Sequence, residues 1–149
     1  MFEKAARSDF FFWLAVKTAP SLVLKTLLGT SPEVLPTVDA DERARVATLM
    51  RHILPLSLRQ QGLLNDASIA ASLPRYERET FAAPTLVVSS ADDLYGTYES
   101  ARYSAAHIRG ARFIGYPSGG HVWAGHHAEL LREIKGFLGG RDTIGTVSP

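Results

Sequence analysis

Two short apolar runs separated by one helical stretch constrain this chain more than any other feature in it. They lie between Ala83 and His121, in APTLVVSSADDLYGTYESARYSAAHIRGARFIGYPSGGH. The first, Thr85 to Val88, lacks polar alternation, as expected of a strand buried on both faces, and breaks at Ser89-Ser90. The acidic pair Asp92-Asp93 follows, and Gly96 interrupts the chain. Thr97 is placed to cap a helix in which Tyr98, Ala101, Arg102, Ala105 and Ile108 recur at helical spacing, until Gly110 ends it. The second run, Arg112 to Tyr116, closes in Pro117-Ser118-Gly119-Gly120 and His121. Parallel neighbouring strands joined by a helix bring their following loops to one sheet edge. Open α/β sheets carry their chemistry at that edge. The expected class is α/β, with a carboxylate and an imidazole brought together at the ends of two parallel strands.

A carboxylate beside a histidine fixes the tautomer of the ring and stabilises the imidazolium formed when the ring takes a proton. Gly119 and Gly120 allow a tight turn that leaves the His121 ring accessible. His121 is therefore the candidate general base, and Asp93 its candidate acid, with Asp92 as the competing carboxylate. The plainer readings are a loop histidine and a turn or helix-capping aspartate. His126 and His127 lie at a helix start with only Glu129 beside them, too few ligands for a metal site. No metal and no organic cofactor is expected.

The pieces Pro84-Thr85-Leu86-Val87-Val88, Ser90-Ala91-Asp92-Asp93, Gly110-Ala111-Arg112-Phe113 and Tyr116-Pro117-Ser118-Gly119-Gly120-His121 resemble the C-terminal part of the α/β-hydrolase family. The likeness runs from about Tyr76 to Leu138 and includes the closing helix to Phe137-Leu138. In that family the acid follows the penultimate core strand in a Gly-x-x-Asp pattern. Ser90 stands at the glycine position, which makes Asp93 the better match and Asp92 the flanking one. The family's histidine follows the last strand, often as Gly-His, which gives His121. The resemblance implies an ester-hydrolase-like enzyme of Ser-Asp-His chemistry, acting on a small apolar ester or related substrate. Residues 1–74 would be its helical cap or lid, 75–138 the end of its core, and 139–149 a flexible tail.

The family's nucleophile sits in a Gly-x-Ser-x-Gly elbow upstream of the acid. That pattern does not occur here, and Gly115-Tyr116-Pro117-Ser118-Gly119 has the wrong spacing. The His-Gly-Gly type of oxyanion loop is absent too. The chain thus reads as a hydrolase portion without its nucleophile, inactive alone. The alternative is a non-catalytic remnant or interaction module that keeps the fold. Two parallel strands leave unpaired edges, so association through an exposed edge is expected.

Composition sets outer bounds. The 149 residues suffice for one domain with a core. A net charge of +1, with scattered Lys and Arg, gives no electrostatic case for nucleic acid. The absence of cysteine excludes disulfides and thiol catalysis and fits a cytoplasmic protein. Phe10 to Leu28 is apolar, but Lys17, Pro20 and Lys25 break it, so no membrane span is expected.

The rest of the N-terminal half reads as helices. Asp9 with Ser8 caps one to about Thr18, Pro20 starts another, and Ser31-Pro32-Glu33 repeats the cap-and-proline pattern. Asp39 opens a helix with Val46, Leu49, Met50 and Ile53 on one face. A further helix spans Leu56 to Leu64, and Asn65-Asp66 caps a short piece to Leu73. Trp13 and the phenylalanines at 10, 11 and 12 are expected in the cap core or facing an apolar substrate, and His52 at a helix boundary or on a lid pocket.

Overall fold

The structure is a computed structural model that describes residues 8–74 and 76–140. Among the described residues, all regular structure before Pro74 is helical: α1 (Asp9–Thr18), α2 (Pro20–Leu27), a 3₁₀ turn (Pro32–Thr37), α3 (Ala40–His52), a second 3₁₀ turn (Leu56–Leu58) and α4 (Gln60–Ala71). A 3₁₀ turn (Arg78–Thr80) then leads to β1 (Leu86–Ser90), α5 (Tyr98–His107), β2 (Arg112–Tyr116), a 3₁₀ turn (Gly120–Val122) and α6 (His127–Leu138). The fold is mixed helix and sheet, and the sheet is one parallel pair.

Local chemistry accounts for the starts of α2 and α3. Asp39 Oδ1 accepts from the Glu42 backbone N–H at 2.8 Å, satisfying an amide that α3 leaves unpaired. Pro20 occupies the first turn of α2, where its missing N–H costs nothing. Three expectations need correction. The Ser31-Pro32-Glu33 segment keeps its expected cap, Ser31 Oγ accepting from the Glu33 N–H at 3.4 Å, but winds as a 3₁₀ turn, because Pro36 inside it removes a donor that a longer helix would require. Asn65 and Asp66 cap nothing; they lie within α4, which runs from Gln60 to Ala71 in place of the expected Leu56 to Leu64. Thr97 precedes α5 but makes no side-chain capping bond: its backbone is already in the helical region, where that of a capping residue is not, and its hydroxyl donates to Asp93.

In the sheet, Leu86 pairs with Arg112 and the register runs to Ser90 with Tyr116. The first strand therefore does not break at Ser89-Ser90. The ladder continues one step further, where the Ala91 N–H donates to Tyr116 O at 2.8 Å, and both serines are buried. α5 packs on both strands as the crossover, and Arg112 of β2 pairs with Glu133 of α6. The expected tail begins at Gly139-Gly140; its remainder, Arg141 to Pro149, lies outside the described residues.

The main core joins the helical half to the loop after β2. Val23 and Leu24 of α2, Val34, and Val46 and Met50 of α3 pack with Val122 and Ala124. This contact seats the helical half against the site loop. α1 buries no residue completely. Phe12 packs at the core margin, but Phe10, Phe11 and Trp13 are exposed, against the expectation that they form cap core. The helix is apolar nearly all round, so one face packs and, among the described residues, no element lies over the other aromatics. Among the described residues no single helix is long and apolar enough to cross a membrane, and α1 and α2 together are bent by 113° at Ala19.

Candidate active site

The two adjacent aspartates after β1 bind different partners. Asp92 accepts from the backbone N–H groups of Gly119 at 3.1 Å and Gly120 at 2.8 Å. It thereby ties the loop after β1 to the loop after β2. That second loop is tightly wound: Gly119 and Gly120 have φ of +116° and +59°. A Cβ on Gly120 would stand 2.5 Å from the buried Thr30 side chain, so only glycine fits. The 3₁₀ turn that Gly120 starts presents His121 beside the end of β1.

Asp93 Oδ2 lies 2.9 Å from His121 Nδ1. The same oxygen accepts from Thr97 Oγ1 at 2.6 Å, and Oδ1 accepts from the Tyr95 N–H at 2.8 Å. The Asp93 side chain is 4% exposed and the His121 side chain 45% exposed. Burial pushes the Asp93 carboxyl up, but the hydrogen bonds from Thr97, His121 and the Tyr95 amide outweigh it and hold it below the ordinary carboxylate value. With a carboxylate at Nδ1, that nitrogen carries the proton and Nε2 offers a lone pair. This is the ring orientation that a general base requires.

The helical half supports the pair from beneath. Gly29 O accepts from the Leu94 N–H at 2.9 Å and from the His121 N–H at 3.4 Å. Tyr95 donates its hydroxyl to Leu27 O and meets the His121 ring edge-on, with centroids 4.8 Å apart. Arg45 is ion-paired to Glu42 and donates to Val122 O at 2.8 Å, while Gly125 N–H donates to Glu42 Oε1. Trp123, in the same loop, holds a left-handed backbone at φ 50°. Non-glycine residues keep such a conformation only where their surroundings impose it, and those places cluster at functional sites.

His121 opens onto a cavity of about 620 Å³ between α2, α3 and the loop after β2. Its walls are largely apolar, with Leu28, Leu49, Ile53, Leu63 and Trp123 among them. His52 and His127 line the same space. His126 instead stacks on Tyr116, with centroids 4.3 Å apart, and its Nδ1 lies 3.7 Å from Glu129. Among the described residues no three His, Cys, Asp or Glu gather as metal ligands.

Among the described residues no hydroxyl is hydrogen-bonded to His121. Ser89 Oγ pairs with Thr97 Oγ1 inside the strand layer, Ser90 Oγ is buried with no partner, and Ser118 is exposed on the loop. Sequence reasoning singles out Asp92, Asp93 and His121. It misses Thr97 as a donor to Asp93, and Tyr95, Gly29 and Thr30 as supports. Thr97 stands four residues beyond Asp93 and is readable as a local partner. Gly29 and Thr30 lie too far from the site in sequence for any spacing to reveal them. Set against known proteins, the chain matches no family model, no curated protein and no solved structure.

Proposed function

We propose that Asp93 and His121 form the acid and base of a hydrolytic site of the α/β-hydrolase type, acting on ester-like bonds. The observation that carries the reading is the 2.9 Å contact between Asp93 Oδ2 and His121 Nδ1, at the ends of adjacent parallel strands. In this reading Nε2 takes the proton of an attacking hydroxyl and returns it to the leaving group, while Asp93 stays ionised. The apolar cavity beside His121 would hold the apolar part of the substrate.

The chain supplies the base and its acid, while the attacking serine would lie outside the described contacts of His121. A histidine and aspartate activate a nucleophile and do not replace one. Alone, the chain is therefore expected to hydrolyse p-nitrophenyl acetate only slowly, through direct base action of His121. His121→Ala should remove that activity and Asp93→Asn should lower it. A rate unaffected by His121→Ala would overturn the assignment of the base. A saturable rate thousands of times that of free imidazole would show a nucleophile within the chain.

The second reading is an interaction module that keeps the fold without catalysis. The apolar side chains left uncovered on α1 favour it, because they offer surface to a partner. A protein inactive on every ester tested, yet forming a defined complex through α1, would fit that reading alone.

A further inference from the structure

We propose that the cavity beside His121 binds a monocarboxylate with an aliphatic body, its carboxylate held by Arg59. The cavity is the one on which the hydrolytic reading draws, but binding requires neither a nucleophile nor turnover. Its apolar wall, formed by Leu28, Leu49, Ile53 and Leu63, suits a flexible hydrocarbon chain. Its volume of about 620 Å³ lies within the range of small-molecule pockets.

The charge on the wall is one-sided. The lining includes Arg45 and Arg59 and no carboxylate. Arg45 is neutralised by Glu42. Arg59 is not: its Nη1 donates to the carbonyls of Ile53 at 3.0 Å and Pro55 at 3.2 Å, and among the described residues it has no acidic partner. Those two carbonyls fix the guanidinium and leave donors over for an anion. A guanidinium has five N–H groups in a rigid fork, matched to the two oxygens of a carboxylate. Arg59 is exposed at the cavity, so a carboxylate would take the place of water on its guanidinium, and a cationic ligand would be repelled by it.

The test is titration of the full chain with hexanoate, octanoate and decanoate below their micellar concentrations, followed by isothermal calorimetry and by tryptophan fluorescence, since Trp123 lines the cavity. Octanol and octylamine are the neutral and cationic comparisons. Affinity for the carboxylates should rise by up to roughly fourfold per methylene while the chain still fits. Octanoate should bind up to about fivefold more tightly than octanol, the range of a solvent-exposed ion pair. Arg59→Met keeps the aliphatic stem and should bring octanoate down to octanol without weakening octanol. Arg59→Lys should retain part of the preference, which guards against a merely misfolded variant. Octanol binding as tightly as octanoate, a preference that survives Arg59→Met, or no carboxylate binding at millimolar concentration would each overturn the proposal. Asp93→Asn, at a position that does not line the cavity, should lower ester hydrolysis and leave octanoate binding unchanged, which separates this result from the fate of the hydrolytic reading.

Discussion

Asp92 and Asp93 carry the same functional group one residue apart, yet Asp92 holds backbone amides and Asp93 holds side chains and one amide. The consequence for Asp93 is measurable. Its folded-state pKa is depressed, so the stability it contributes is present above the unfolded value of about 3.9 and is lost as pH falls through the folded value. Asn at this position has no such titration. The stability gap between wild type and Asp93→Asn should therefore narrow as pH drops below about 4. Thermal midpoints recorded for both proteins across that range check the sign. Parallel curves would mean that the carboxylate gains nothing from its partners.

At the scale of elements, the turn that starts at Gly120 is pinned: of the described glycines, Gly120 has the nearest neighbour to an added Cβ. In Gly120→Ala two effects act together: the left-handed backbone at this position, and the 2.5 Å approach of the new methyl group to Thr30. The strained backbone and the overpacking should cost about 2–4 kcal/mol in chemical denaturation. Gly136, within α6, has nothing within 4 Å of its Cβ position. Gly136→Ala should stabilise the protein by up to about 1 kcal/mol, because it reduces the freedom of the unfolded chain and favours helix. The same denaturation series measures both. Equal effects from the two substitutions would show that the turn is not pinned against Thr30.

Across the described residues, apolar surface is left uncovered at Phe10 and Phe11 on α1, at Leu58, and at Leu138 at the end of α6. Among the described residues the sheet has only two strands, so β1 and β2 each leave an edge without a neighbouring strand. Edges and apolar patches of this kind promote pairing between chains. The purified chain should self-associate with rising concentration, seen by sedimentation velocity as a shift to larger species. Phe10→Ser with Phe11→Ser should reduce that association without lowering helix content. A monodisperse monomer throughout the concentration range would contradict the expectation.

Local signals are what the sequence carries well. The apolar run at Thr85 to Val88, the helical spacing from Tyr98 to Ile108, and Asp39 ahead of α3 each follow from interactions within a few residues, and each element forms close to its expected bounds. The acid and the histidine are legible because each follows a strand directly, and the parallel register then sets their loops side by side. The choice of Asp93 over Asp92 is legible only through the Gly-x-x-Asp spacing of the family resemblance, and the hold of Asp92 on the Gly119 and Gly120 amides is not legible at all. Nor are the burial of Ser89 and Ser90, the exposure of Trp13, or the support of His121 by Gly29. Those depend on which surfaces meet after the chain has turned several times. The carboxylate pair and the histidine are products of local strand ends, whereas the cavity, its arginine and the uncovered aromatics exist only through packing between segments remote in sequence.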